Sequence, residues 1–270
     1  MENGTITYVQ SLREDLGIFR VTPENGVPDF KAGQFLTLGL PLESKIVNRA
    51  YSIASSPDNK KFFEFVIRWV RRPLPGRLTS LLFNAKVGDK ISWAKPAGNL
   101  TINDTLPSGE KDTRRIVCIG GGTGLAPFVS FAQHLHDTND KREVVVLHGA
   151  SYVDELSYKQ LLTDLENDSI DKGKDKWNFK YRAAISRPEE WTNRAWNGHK
   201  GRIEQFLRSN DAGKSPLEEL VGEKITKDNT MFYVCGWQGT IDGTMDYLKN
   251  KNFVTEKNKR DDGSYEVKFE

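Results

Sequence analysis

Four consecutive residues, Arg49-Ala50-Tyr51-Ser52, place a forked cation, a flat ring with a polar tip and a small hydroxyl in one short stretch. An arginine fork matches phosphate oxygens, a tyrosine face suits a planar apolar partner, and a serine hydroxyl both donates and accepts. On a strand, alternation puts Arg49 and Tyr51 on one face and Ala50 and Ser52 on the other. Taken alone, the four residues fit a surface arginine beside a half-buried tyrosine better than a ligand site.

A second segment, Gly120-Gly121-Gly122-Thr123-Gly124-Leu125-Ala126-Pro127, follows an apolar run and opens a helical pattern. Glycines let the backbone turn tightly and approach a ligand, and a helix N-terminus offers unpaired N–H groups to a phosphate. Pro127 stands where the last glycine of a G-x-G-x-x-G fingerprint would be. Proline is at home in a first helical turn. A plain strand–helix turn is the other reading of these residues.

The elements that must position these groups change character along the chain. Residues 1–110 read as β-structure, with strands expected at Thr5–Val9, Ile18–Val21, Gln34–Leu38, Ala50–Ala54, Phe62–Val70 and Lys90–Trp93. Glycine, proline and asparagine separate them at short intervals, as in an antiparallel β-barrel, with one helix after Gly76. The polar stretch Asn103–Arg115 reads as a linker. Residues 111–270 then alternate apolar strands (Ile116–Ile119, Val144–Leu147, Phe179–Ile185, Phe232–Cys235) with helices near Leu125–His136, Glu155–Leu165, Arg202–Leu207 and Thr240–Lys249. That rhythm predicts an α/β domain with a parallel sheet covered on both faces. Asn167–Lys176 reads as an exposed loop.

Composition narrows the function classes. The chain has 270 residues, which favours two domains, and 37% hydrophobic with 28% charged residues is a soluble, packable composition. Thirty-nine Lys and Arg against 37 Asp and Glu leave +2, without the excess of a dedicated nucleic-acid binder. The uncharged run from Ile116 to His136 is broken by glycines and Pro127, so a membrane helix is not expected. The N-terminal residues show no secretory signal, and Cys118 and Cys235 are too few for an iron–sulfur cluster and suggest a reducing, cytoplasmic setting. His134 and His136 lie two apart on different helix faces, so no metal site is expected.

In order and separation, Arg49-x-Tyr51-Ser52, Gly76-Arg77-Leu78-Thr79, Gly122-Thr123-Gly124-Leu125-Ala126-Pro127 and Cys235-Gly236 resemble the ferredoxin–NADP reductase family, in its compact form without an iron–sulfur domain. The resemblance runs from Gly33-Gln34-Phe35 to the helix after Cys235-Gly236. It implies FAD on the barrel, NADP(H) on the α/β domain, hydride exchange between nicotinamide C4 and flavin N5, and one-electron transfer with ferredoxin or flavodoxin. Arg49 then meets the FAD pyrophosphate, Ala50 lies on the same strand, Tyr51 stacks on the isoalloxazine, and Ser52 sits near N5. Val66, Ile67 and Arg68 match the strand whose backbone borders the flavin. Gly76, Arg77, Leu78 and Thr79 match the turn that holds the FAD phosphates. Thr123 matches the meeting point of flavin and nicotinamide, and Gly122, Gly124 and Pro127 match the pyrophosphate loop of the coenzyme. Cys235 and Gly236 match the wall beside the nicotinamide; Ser52 and Cys235 are the catalytic candidates.

Ser186-Arg187 and Gly201-Arg202-Ile203 match two arginine sites for a 2′-phosphate, but Ser151 follows His148-Gly149-Ala150 where such relatives carry a third arginine. NADP is favoured and NAD left open. In Gly263–Glu270, Tyr265 or Phe269 could cover the flavin, while alternation of Tyr265, Val267 and Phe269 fits an edge strand better. A basic cluster of Lys60, Lys61, Arg68, Arg71, Arg72 and Arg77, with only Asp58 and Glu64 as nearby opposition, would steer an acidic carrier. Other readings are a reductase component of an oxygenase, a free-flavin reductase, or a nucleotide-binding regulatory module without turnover. Oligomeric state stays open.

Overall fold

The alternating residues of the first part become six strands, β1 (Glu2–Arg13), β2 (Leu16–Pro23), β3 (Phe35–Leu42), β4 (Lys45–Ser52), β5 (Phe63–Arg68) and β6 (Lys90–Trp93). This is a computed structural model, and it describes residues 1–71, 73–210 and 213–270. The strand order is β4-β3-β6-β1-β2-β5, with every pairing antiparallel. Residues two apart share a face, so Phe63, Phe65 and Ile67 of β5 all turn into one core with Leu36, Leu38 and Trp93. Each such fully buried side chain contributes roughly 1.5–3 kcal/mol of transfer free energy. Helix α1 (Arg77–Asn84) starts after Gly76 as expected, adds Leu78 and Leu82 to that core, and packs against β3 and β4. The edge strands β4 and β5 come into contact, so the sheet curls into a barrel.

The second sheet contains β7 (Arg115–Gly121), β8 (Val144–Ala150), β9 (Phe179–Ile185), β10 (His199–Lys200), β11 (Thr230–Cys235) and β12 (Val267–Phe269). Its order is β10-β9-β8-β7-β11-β12, and all pairings are parallel. The helices are α2 (Ala126–Asp137), α3 (Lys159–Lys172), α4 (Pro216–Val221) and α5 (Gln238–Asn250). β7 is fully buried along its length, as a central parallel strand requires. From β7 the chain winds outward through β8, β9 and β10, then returns to the other side as β11. The order therefore reverses between β7 and β8 on one side and β11 on the other, and the crevice beyond the carboxyl ends of such strands is where open α/β sheets bind ligands.

The chain divides into two compact units, Met1–Thr101 with Ala126–Thr138, and Ile102–Leu125 with Asn139–Glu270. The division differs from a single cut at 110/111 because α2 groups with the barrel. Its Ser130 Oγ donates to the Ser55 carbonyl at 2.8 Å, and Gln133 Nε2 donates to the Ala54 carbonyl at 2.9 Å. The uncharged run is thus a strand, a 3-10 turn and a helix; among the described residues, no helix is long and apolar enough to cross a membrane.

Two expectations change. Asn167–Lys172 is the last part of α3, not loop. Its polarity belongs to a solvent face, where Asp168 and Lys172 pair across one turn at 2.7 Å, while buried Ser169 donates to the Trp177 carbonyl at 2.9 Å. The Asn103–Arg115 stretch is tied down within the second unit: buried Arg142 donates to the Asn103 carbonyl at 2.6 Å and to Asp104 at 3.0 Å. Helix α4, with Ser215 and Glu218 forming a reciprocal capping box, was not foreseen.

Candidate active site

In the barrel unit, Arg49, Ala50, Tyr51 and Ser52 form the last half of edge strand β4. Arg49 and Ala50 are exposed, and Tyr51 and Ser52 are half-buried. Arg49 donates to the Asn48 carbonyl at 2.7 Å and has no carboxylate partner among the described residues. Tyr51 packs against the barrel core, yet its hydroxyl is buried without a hydrogen-bond partner among the described residues. Burial pushes the phenol up to about 12, so it stays a neutral donor. A buried hydroxyl left without a partner costs about 1–3 kcal/mol, a cost that a bound acceptor would remove.

Beside β4, α1 begins at Arg77 with no side-chain cap. Its first N–H groups are therefore open to an anion, and exposed Arg77 adds a cation. Leu78 and Thr79 are buried, and Thr79 Oγ1 donates to the Gly76 carbonyl at 3.2 Å, fixing the turn. Val66 and Ile67 are buried in β5, and Arg68 is held by Asp15 at 2.9 Å. What this strand offers a ligand is backbone. An exposed fork, a stacking ring with an unmet hydroxyl and an uncapped helix start fit a flavin dinucleotide.

In the sheet unit the glycine segment leaves β7, and Cys235-Gly236 leaves β11, its parallel neighbour. The two turns touch: a Cβ on Gly124 would stand 2.4 Å from the Cys235 carbonyl oxygen and 2.6 Å from Gly236 Cα. Gly236 has φ +150° and its own Cβ position lies 3.0 Å from Gly121 Cα, so only glycine serves on either side. Gly122 and Thr123 start a half-buried 3-10 turn; Pro127, in the first turn of α2, belongs to the barrel unit. Buried His148 lies beneath, with Nδ1 3.2 Å from Tyr181 Oη and the ring against the Gly122 backbone. Burial lowers it to about 3, so it stays neutral.

Cys235 is half-buried, and burial first, then the Glu270 charge, pushes its thiol up to about 12. The thiol therefore stays neutral and is not a nucleophile, because the thiolate is the reactive form. β12 runs beside β11 and contains Val267 and Phe269, while Tyr265 lies two residues before it. Tyr265 Oη donates to Asn103 Oδ1 at 3.2 Å, and Lys257 lies over the Phe269 ring at 4.6 Å. The expected edge strand thus forms at Val267–Phe269 without Tyr265.

Ser186 and Arg187 follow β9 and are exposed. Arg187 Nη1 donates to Tyr152 Oη at 2.9 Å. Behind them stands Asn193, 1% exposed, which the sequence reading missed. Its Nδ2 donates to the Ser151 carbonyl at 3.0 Å and the Arg187 carbonyl at 2.8 Å, and its Oδ1 accepts from Val153 N–H at 3.0 Å. One side chain thus ties the Ser151 loop to the Arg187 turn. Its only sequence signal is a position six residues past Arg187. Arg202 lies exposed at the start of a 3-10 turn (Ile203–Leu207).

The sequence matches the oxidoreductase FAD-binding domain over residues 3–102 and the oxidoreductase NAD-binding domain over residues 118–246. A flavodoxin/ferredoxin–NADP reductase of Escherichia coli (strain K12) is 29% identical over 86% of this chain and 84% of its own length. The chain is similar to the ferredoxin–NADP reductases. It is an oxidoreductase with an FAD-binding and a nicotinamide-dinucleotide-binding domain. The reductase component of a propane 2-monooxygenase from Mycolicibacterium goodii is 31% identical over 90% of this chain and 62% of its own. In fold, a ferredoxin NADP+ reductase from Neisseria gonorrhoeae with bound FAD and NADP is similar at a TM-score of 0.78, with 23% identity, 99% of this chain and 97% of that one covered.

The basic cluster needs correction. Asp58 and Glu64 are not its only opposition: Lys60 pairs with Asp29, Arg68 with Asp15 and Arg71 with Glu14, each at 2.9 Å. The turn between β1 and β2 brings two of those acids beside the segment after β5, a neighbourhood that sequence distance conceals. Arg72 lies outside the described residues.

Proposed function

We propose that the protein is an FAD-dependent ferredoxin (or flavodoxin)–NADP oxidoreductase, with residues 1–110 holding the flavin and 111–270 the coenzyme. The contact of Gly124 with the Cys235 carbonyl carries this reading, because it builds a side-chain-free crevice at the point where the strand order reverses. The flavin, when bound, supplies hydride exchange with the nicotinamide and single-electron exchange with a carrier. Arg49, Arg77 and the open N–H groups of α1 bind the FAD pyrophosphate. Tyr51 covers the isoalloxazine with its ring, and Val66, Ile67 and Arg68 border it with backbone. The Ser52 hydroxyl offers a hydrogen bond near N5.

Gly122, Gly124 and the N-terminus of α2 at Pro127 seat the coenzyme pyrophosphate. Thr123 and the neutral Cys235–Gly236 wall hold the nicotinamide in register and exclude water, and orientation of this kind is worth several orders of magnitude in rate. Ser186 and Arg187 take the 2′-phosphate, with Arg202 as the second cation of that site, so the coenzyme is NADP(H). The two free cysteines support a cytoplasmic setting. The propane monooxygenase component keeps a second reading in play, in which the carrier is an oxygenase. The test is to reduce the protein with NADPH under anaerobic conditions and offer ferredoxin, flavodoxin and a small artificial acceptor. Rapid, salt-sensitive reduction of one of the two carriers is expected. Transfer to the small acceptor alone overturns the carrier assignment.

A further inference from the structure

The second arginine of the coenzyme site is already engaged. Arg202 directs its Nε at the carboxylate of Glu204, two residues on, and the two form an ion pair. The pair is unequal, since the Arg202 side chain keeps 54% exposure and that of Glu204 keeps 7%. Helix α5 makes room for both. A Cβ on Gly239 would stand 3.0 Å from Arg202 Nη2, and one on Gly243 would stand 3.1 Å from Glu204 Oε1. Gly239 and Gly243 are four residues apart and share a helix face. A strip of bare helix therefore beds the guanidinium and its carboxylate side by side.

We propose that Glu204 sets how strongly this protein discriminates between NADP(H) and NAD(H), by holding the Arg202 fork against α5 and cancelling its charge. The inference rests on the coenzyme reading above. A 2′-phosphate that approaches Arg202 competes with a carboxylate that belongs to the same turn and is always present. Glu204 is buried, so parting it from its cation leaves an uncompensated charge inside the protein, a costly state. Arg202 then has little to give a phosphate. Arg187, whose Nη1 donates to the neutral Tyr152 hydroxyl, carries the discrimination. Removing the Glu204 charge reverses this, because the member left behind is the exposed arginine, which water solvates until a phosphate arrives.

The test uses the FAD-loaded protein and two probes, adenosine 2′,5′-bisphosphate and 5′-AMP, with binding measured by calorimetry in wild type and E204Q. The amide keeps the shape of the carboxylate; Glu204→Met, apolar and of similar length, serves if the amide variant does not fold. Binding of the bisphosphate is expected to tighten by about tenfold or more, the worth of one charge-assisted hydrogen bond, with 5′-AMP unchanged. A ratio between the two probes equal to or below that of wild type overturns the proposal, as does an equal change for both, which is what a purely structural role would give. A wild type that ignores the 2′-phosphate counts against the coenzyme reading itself. The proposal on Glu204 then still stands or falls on whether E204Q acquires the preference.

Discussion

The barrel unit presents its candidate ligand groups as side chains on one edge strand and on the helix packed against it. The sheet unit presents backbone, from turns that are far apart in sequence and forced together where β7 and β11 end. Arg49, Arg77 and Ser52 are exposed or half-buried and can be shortened without disturbing the core behind them. Gly124 and Gly236 cannot gain even one carbon, because each faces another backbone at contact distance. A flavin half built of side chains should lose function by degrees, and a nucleotide half built of close-packed backbone should lose it abruptly.

The sharpest test of that contrast is Gly124→Ala. Its Cβ would meet the Cys235 carbonyl at 2.4 Å, so the two turns must part. Nucleotide binding is expected to fall by more than about 10²-fold, since a displacement of roughly 1 Å at an active site costs that much, while bound FAD per chain stays at the wild-type value. Loss of flavin alongside nucleotide would show that the halves do not fail separately. Ser52→Ala, on the flavin side, is expected to slow flavin reduction by NADPH by about 10²-fold through misalignment alone. FAD should be retained, and stopped-flow rates equal to wild type would remove Ser52 from the site.

Arg187→Ala tests the coenzyme end. Losing a charge-assisted contact worth about 1.5–3 kcal/mol should raise KM for NADPH roughly 10- to 150-fold and leave NADH unchanged. Kinetics with both coenzymes decide it, and equal losses would mean that the turn itself has collapsed. The smallest effect concerns acid. His148 is held neutral at about 3 against an ordinary 6.5, so its stabilising contribution is complete above pH 6.5 and declines as pH falls towards 3. A melting series from pH 7 to pH 4 should show stability declining in wild type and a flatter profile in His148→Gln. Parallel profiles would count against a role for burial at this ring.

Much of the fold is legible in the sequence. Strong alternation revealed the barrel strands, and the Gly120–Pro127 segment announced its turn because glycine and proline act on the local backbone. Asn193 was not legible, since its role lies in three hydrogen bonds to residues brought near only by the parallel sheet. The ion pairs of Lys60, Arg68 and Arg71 were hidden for the same reason. Asn167–Lys172 misled the reading because a helix with a polar outer face has the composition of a loop, and the buried Ser169 hydroxyl that anchors it carries no apolar signal. Local backbone chemistry shows in sequence, whereas long-range polar contacts do not.

The account stands most directly on one anaerobic titration of the purified protein with NADPH. It predicts a yellow protein that releases FAD on denaturation, about one per chain, and whose flavin absorbance bleaches on addition of NADPH before any acceptor is present. A colourless protein that FAD cannot reconstitute, a protein that holds only FMN, or a bound flavin that NADPH leaves oxidised would contradict it.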